Sequence, residues 1–329
     1  MAVLVTGGAG YIGSHTVQEL RTMGYEVVVL DNLRQGHRAA IFDTPFYEGD
    51  ISDQKLVLEI CKQHSIDTVV HFAAHSLVGE SVHEPLAYYE ANVCKTRNLL
   101  ETLVMAGIKR VVFSSTAAVY GEPTEIPIAE EHTTIPTNPY GDTKLAIEHM
   151  LSWCYQAYGL SSISLRYFNA AGAHHTLPIG EDHRPETHLI PLVILAALGK
   201  RDHLTVFGTD YETTDGTCVR DYIHVLDLAT AHRLAVERLM THRGAEIFNL
   251  GNGKGFTVKE VIDVVEKVTG RTVPVTYGDR RAGDPAELVA SSTKARDMLG
   301  FIPIYSDLVN IVSSAVRWHQ GHPNGYEEK

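Results

Sequence analysis

The chain has 329 residues, 44% hydrophobic and 21% charged, with a formal net charge of −12. This is the composition of an ordinary globular protein, and the acidity argues against nucleic acid or an anionic membrane as a partner. The four cysteines, Cys61, Cys94, Cys154 and Cys218, contain no CxxC pair, which disfavours a zinc knuckle or a redox motif and fits a reducing cytoplasm.

The chain opens on a strand pattern without a basic start and apolar stretch, so no signal peptide is expected. Strands are predicted at Val3–Thr6, Glu26–Leu30, Pro45–Glu48, Thr68–Phe72, Arg110–Ser114 and Ser162–Arg166, separated by helix-length segments. That alternation predicts an α/β fold with a doubly wound parallel sheet, covered on both faces. Residues 1–170 are expected to form this unit. Residues 171–329 are expected to form a smaller mixed α/β domain, with part of 217–251 returning to the first. In that half, Ala171–Glu186 and Phe207–Gly216 read as loops. Leu189–Leu198 reads as a buried helix, too short to span a bilayer. A late strand is predicted at Ile247–Leu250, then a helix over Thr257–Thr269 with Thr257 and Glu260 as a capping box. The tail after His319 reads as polar and loose.

Strand Val3–Thr6 runs into Gly7-Gly8-Ala9-Gly10-Tyr11-Ile12-Gly13, and a helix pattern follows. Glycines allow a tight turn and let backbone N–H groups approach a pyrophosphate at a helix N-terminus. The strand before and the helix after make dinucleotide binding the favoured reading. Asp31 ends the second strand, where an acidic residue meets the adenosine ribose and repels a 2′-phosphate, so NAD is expected. Arg34 keeps NADP as a minority alternative. Asp50 and Ile51, after the third strand, are candidates for the adenine edge, with an ordinary loop as the competing reading. His71 and His75 straddle a strand end and read as structural. The small residues beyond Phe72 and Ala73 would let backbone pass close to a cofactor.

Asn138 and Pro139 can open a helix that puts Tyr140 and Lys144 four apart on one face. A nearby ammonium and a positive nicotinamide both stabilise a phenolate, so the pair can take a proton from a carbinol as hydride leaves. Thr116, at the end of the fifth strand, could hydrogen-bond the substrate oxygen. Strand-end capping is the alternative. Despite 18 histidines there is no HExxH, and no metal is expected.

Together these residues resemble the extended short-chain dehydrogenase/reductase family. Further motifs are similar to its UDP-hexose 4-epimerases: Val78 to Val82, Arg166-Tyr167-Phe168-Asn169, Gly208 to Tyr211, Asp215-Gly216-Thr217, Val219 to Val225 and Arg280 to Asp284. The resemblance runs from residue 3 to about 297. It implies a Rossmann domain, tightly held NAD, and interconversion of UDP-galactose and UDP-glucose by transient oxidation at C4, with Tyr140 as the base. It implies that Gly7, Gly10, Tyr11, Ile12, Gly13, Asp31, Asn32, Asp50, Ile51, Phe72, Ala73, Asn92, Tyr140, Lys144 and Phe168 hold the cofactor. It assigns the UDP-sugar to Thr116, Tyr140, Asn169, His188, Leu189, Phe207, Arg220, Tyr222, Arg281 and Asp284, and implies a cytoplasmic homodimer.

Four positions depart from the commonest form, among them Ser76, which stands where some members have a lysine near the nicotinamide. Thr116 stands where many members carry serine. His188 stands where asparagine is usual, which leaves its uracil-side contact open. Leu288 replaces a bulky tyrosine of some members, so N-acetylated UDP-sugars are the alternative substrates. A 4,6-dehydratase would need an acid/base pair directly after the strand-end threonine, where Ala117 and Ala118 stand. A dinucleotide-sensing module without catalysis is the rival of another class.

Overall fold

The structure is a computed structural model that describes residues 1–281 and 285–326. Seven strands form one parallel sheet. Six are β1 (Ala2–Thr6), β2 (Glu26–Asp31), β3 (Phe46–Glu48), β4 (Ile66–His71), β5 (Arg110–Ser114) and β6 (Ser161–Tyr167), and the seventh is Ala245–Leu250. From one edge the order is the seventh strand, β6, β5, β4, β1, β2, β3. The chain therefore moves outward from β1 to β3, then crosses back to β4 on the other side of β1. The crevice at that reversal, beyond the carboxyl ends of β1 and β4, is where such sheets bind ligands.

Both faces of the sheet are buried, which is why its strands are nearly continuous apolar runs. Side chains alternate across β1. Val3 and Val5 pack with Val17, Leu20, Leu228 and Val236, from helices Tyr11–Thr22 and Val225–Thr241. Leu4 packs the other way, with Val57, Ile60, Leu99 and Ile147. Each of these three β1 side chains is fully buried, worth about 1.5–3 kcal/mol apiece.

A second layer grows from segments after β6. Asn169–Ala171, Val219–His224, Gly255–Thr257 and Glu287–Leu288 form a small mixed sheet, and Leu204–Phe207 pairs in parallel with Val275–Gly278. Helices Leu189–Ala197, Val258–Thr269 and Leu308–Gly321 bury one apolar cluster, including Ile194, Val265 and Val312. The Thr257/Glu260 capping box is present. Asp221 joins the layers: its carboxylate accepts N–H bonds from Asn252 at 2.8 Å and from Gly253 and Ala290 at 3.1 Å.

One sequence expectation is corrected. The tail after His319 is not loose: helix Leu308–Gly321 continues past it, and Tyr326 is buried. The Tyr326 ring stacks on His37, and its backbone N–H donates to Asp182 at 2.8 Å. A single aromatic anchor outweighs the polar composition around it. Among the described residues, no helix is long and apolar enough to cross a membrane.

Candidate active site

At the crevice, Gly7 turns with φ +72°, and a Cβ there would lie 2.5 Å from the Ala73 nitrogen. The Phe72–Ala73 backbone thus lies directly against the glycine loop, while the Phe72 ring packs on His232. A Cβ on Gly13 would meet the Gly7 carbonyl at 2.3 Å, so this glycine sets how closely helix and strand pack. Gly10 differs: a Cβ would touch only Gly7 O, at 3.3 Å, and otherwise enter open space. No side chain caps helix Tyr11–Thr22, which leaves the N–H groups of its first turn, at Tyr11, Ile12 and Gly13, for an anion. This cradle, which a side chain at position 10 would fill, fits a dinucleotide diphosphate.

Asp31 is buried beside the loop, accepting N–H bonds from Ala9 at 2.9 Å and Leu33 at 2.8 Å. Those bonds fix the carboxylate at the ribose position of such folds. Asn32 accepts from the backbone N–H of Arg34 at 3.1 Å. The Arg34 side chain reaches His75 and, at 3.8 Å, Glu80. Asp50 is tied to Lys95 at 2.6 Å and to the Ser52 hydroxyl at 2.7 Å, beside buried Ile51. The Tyr11 hydroxyl donates to Gly172 O at 2.6 Å, so its side chain faces the second layer. His71 is buried between the Thr6 and Thr96 hydroxyls, at 2.7 and 3.0 Å.

Asn92 lies fully buried in a π-helical turn, Tyr89–Cys94. Its amide accepts from His75 N at 2.7 Å and donates to His75 O and Thr143 Oγ1, both at 3.0 Å. Asn92 thereby ties the loop after β4 to the helix that carries Tyr140. It acts on the crevice through that tie, and the extra residue of the π turn is what no spacing rule in the sequence could reveal.

Helix Pro139–Tyr158 begins as expected, with Asn138 accepting from Gly141 N at 2.9 Å and Pro139 in the first turn. Tyr140 and Lys144 are both buried. Lys144 Nζ donates to Ser114 O at 2.9 Å and sits 5.9 Å from the Tyr140 ring centroid. Burial pushes the Tyr140 phenol up to about 12, and a hydrogen bond with Thr116 only partly opposes it. Burial also pulls Lys144 down to about 7, against the attraction of Glu148. The ammonium alone therefore does not make a phenolate here; desolvation is the larger effect in this dry corner. Thr116 also accepts from Ala118 N at 3.1 Å, so capping and proximity to Tyr140 coexist in one hydroxyl.

Sequence reasoning missed the scaffold behind this pair. Glu148 and Arg166 form a buried, two-pronged ion pair, with Nε to Oε1 at 2.9 Å. Ser115 donates to Glu148, Arg166 reaches the Tyr120 hydroxyl at 2.9 Å, and Tyr120 donates to Asn249 at 2.7 Å. This chain of bonds locks the Tyr140 helix to β5, β6 and the seventh strand. Tyr167 hydrogen-bonds Ser114 at 2.6 Å, and burial raises its phenol well above the ordinary range. The only sequence signal was Glu148 four residues beyond Lys144, a spacing too common to single out.

A cavity of about 220 Å³ opens in the second layer. Its lining brings together Asn169, His188, Leu189, Phe207, Arg220, Tyr222 and Arg281. Asn169 donates to Asp221 O at 3.1 Å, and Arg220 to Pro285 O at 2.9 Å. The Arg281 guanidinium lies 4.1 Å from the Phe207 ring centroid, whereas neighbouring Arg280 is taken by Asp210 at 2.7 Å. Phe168 and Leu288 pack on the cluster of Ala117, Tyr120 and Leu145, beside the Thr116 corner. Asp284 lies outside the described residues. His188 differs from expectation. It lines the cavity, yet its Nδ1 contacts Glu181 and Glu186, which leaves Nε2 as the nitrogen for a ligand.

Two sites thus stand out: a buried corner holding Tyr140, Lys144 and Thr116 beside a loop that fits a dinucleotide, and a cavity with two arginines. Residues 3–251 match the NAD dependent epimerase/dehydratase family. The chain is 59% identical to a UDP-glucose 4-epimerase of Halalkalibacterium halodurans, covering 99% of this chain and 98% of that one. Among solved structures it is similar to the Brucella ovis UDP-glucose 4-epimerase in complex with NAD, at 49% identity and TM-score 0.94, covering 96% and 97% of the two chains. It is also similar to the Bifidobacterium longum enzyme in complex with NAD+ and UDP, at 39% identity and TM-score 0.94, covering 99% and 100%. The chain belongs to the NAD dependent epimerase/dehydratase family.

Proposed function

We propose that this protein is a UDP-hexose 4-epimerase that interconverts UDP-galactose and UDP-glucose, a step of galactose metabolism, by transient oxidation at C4. The observation that carries the proposal is the pairing of Tyr140 and Thr116 with two alanines, Ala117 and Ala118, directly beyond. The corner can remove a proton from a carbinol, but it offers no second acid/base pair there to expel water. The relatives named UDP-glucose 4-epimerase, and the Bifidobacterium structure with NAD+ and UDP, support the same reading.

Bound NAD would be held by the Gly7–Gly13 cradle, Asp31 and the backbone beside Ala73, and it supplies a reversible hydride acceptor with a positive ring. Tyr140 takes the C4 hydroxyl proton, and Thr116 orients that oxygen through its own hydroxyl. Lys144, fixed by Ser114 O, keeps a cation beside the phenol when protonated. Arg220 and Arg281 hold the diphosphate, since guanidinium matches phosphate geometry in two-pronged contacts. Asn169, Leu189, Phe207 and Tyr222 line the nucleotide, with Asp284 on its ribose. The hexose must be free to present its other face before hydride returns, which suits a sugar corner walled by Phe168 and Leu288 and not by further charges. UDP-N-acetylglucosamine is the second reading, favoured by the modest size of Leu288.

A cytoplasmic homodimer belongs to the same proposal. Trp153, 67% exposed on helix Pro139–Tyr158, and Leu86, 83% exposed, are apolar surface that a second copy would cover.

The test needs no added cofactor. Purified protein incubated with UDP-galactose alone should form UDP-glucose. A demand for stoichiometric NAD, or no conversion, overturns the proposal.

A further inference from the structure

One side-chain cluster has no part in hydride chemistry, and only His188 of it reaches the nucleotide cavity. The loop leading into helix Leu189–Ala197 gathers Glu181, His183, Glu186 and His188, whose donor atoms all lie within 4.8 Å of one another. His188 Nδ1 is 2.8 Å from Glu181 Oε1 and 3.0 Å from Glu186 Oε1. His183 Nδ1 is 3.2 Å from Glu181 Oε1 and 3.7 Å from Glu186 Oε2.

A second observation points to a ligand. Glu181 is only 4% exposed, and its Oε1, which faces both imidazoles, makes no hydrogen bond of acceptable geometry. The buried His183 Nδ1 makes none either. Close approach without alignment is not a hydrogen bond, and a buried carboxylate oxygen left so is destabilising. A cation at the centre would give Glu181 and His183 the partner they lack, while Glu186 Oε1 already accepts from Thr187 N at 2.7 Å, His188 N at 2.8 Å and His188 Nδ1 at 3.0 Å.

The dimensions agree. Ligand bonds of about 2.0–2.2 Å in a tetrahedron separate neighbouring donor atoms by roughly 3.3–3.6 Å. The four histidine–carboxylate separations, 2.8 to 3.7 Å, straddle that edge length, and all donor atoms lie within 4.8 Å of one another. Two imidazole nitrogens argue against magnesium and calcium, which prefer oxygen, and two carboxylates balance a dication.

We propose that Glu181, His183, Glu186 and His188 form a closed four-coordinate site for a divalent metal of the zinc class. With four protein donors it has no open position, so the ion is structural. The site sits where three parts meet. The His183 ring lies edge-on to Tyr11 of the glycine-loop helix, with centroids 6.1 Å apart. Glu181 O accepts from Trp318 Nε1 of the C-terminal helix at 2.9 Å. His188 precedes Leu189, and both line the nucleotide cavity. The ion would hold one wall of that cavity against the cofactor layer. The spacing is E-x-H-x2-E-x-H, which a search for HExxH passes over.

The holoenzyme, stripped of loose metal on a chelating resin, is titrated with Co2+. The expected result is the intense visible spectrum of tetrahedral cobalt, saturating at about one ion per chain and abolished by Zn2+, which also raises Tm. His183→Gln and Glu181→Gln should each lose the signal, while His83→Gln, an exposed histidine elsewhere, should keep it. If those variants do not fold, zinc-edge absorption on the unmodified protein decides, with two imidazoles and two oxygens expected. Absence of a saturating tetrahedral signal, thiolate bands, or unchanged binding in folded variants overturns the site.

Discussion

The Tyr140 corner, proposed to move the proton, and the cavity proposed to hold the nucleotide are built by opposite means. Around Tyr140, buried polar groups are fixed by one another: Lys144 by Ser114, Glu148 by Arg166, Asn92 by Thr143. Around the cavity, arginines lie on backbone carbonyls and on an aromatic face, in segments between short strands. The first region is dry, so small displacements there change electrostatics strongly. On the proposed reading, the charges of the second contribute binding more evenly through the reaction.

Substitutions can break that contrast. The largest effect is expected for Tyr140→Phe, a loss of about 10²–10⁴-fold in turnover with NAD still bound, measured on UDP-galactose. Retained turnover would show that the dry corner is not where the proton moves. Next, Arg166→Met strands the buried Glu148 carboxylate and should cost about 3–5 kcal/mol in thermal or denaturant unfolding. A smaller loss would mean that water reaches the pair. Arg281→Ala should raise KM for the UDP-sugar by about 10-fold or more with kcat little changed, as expected for binding that is uniform through the reaction. An equal fall in kcat would erase the distinction between the regions.

A pH measurement sharpens it further. With the phenol at about 12, the phenolate is scarce at neutral pH. An oxidised nicotinamide carries positive charge, which favours the ionised phenol and lowers its pKa; a reduced one is neutral and does not. Tyr140 should therefore titrate at least about one unit lower in the oxidised holoenzyme than in the borohydride-reduced one, followed by ultraviolet difference absorbance against Tyr140→Phe. Equal titration would assign the activation to Lys144 alone. The smallest effect is expected for Leu288→Tyr: a several-fold drop in activity on UDP-N-acetylglucosamine relative to UDP-glucose, from bulk added beside Phe168.

The strands and the Tyr140 helix were legible in the sequence because local rules generate them. Apolar runs punctuated by turns set β1 to β6, and Asn138-Pro139 starts the helix. The glycine loop was legible because Gly7 and Gly13 have no room for a side chain. The rest depends on contacts far apart in sequence. Glu148 and Arg166 stand 18 positions apart, and nothing in the sequence signals their pairing. The partner of Lys144 is a carbonyl, which no sequence pattern displays. Tyr326 anchors the tail through His37 and Asp182, 289 and 144 residues away. His188 was read only for the cavity because Glu181 and Glu186 gave no reason to look the other way.

The return of the chain at Ala245–Leu250 has a consequence for how the molecule is made. That strand closes the sheet on β6, yet it is synthesised only after the cavity-lining stretches between Asn169 and Tyr222. A nascent chain that ends near residue 170 would hold the glycine loop, Tyr140 and Lys144, but β6 would stand as an open edge of unpaired backbone groups, a template for aggregation. Truncation at that point should therefore yield an insoluble fragment and not a small nucleotide-binding protein, and on the ribosome the cofactor layer must wait for residue 250 before its edge is sealed.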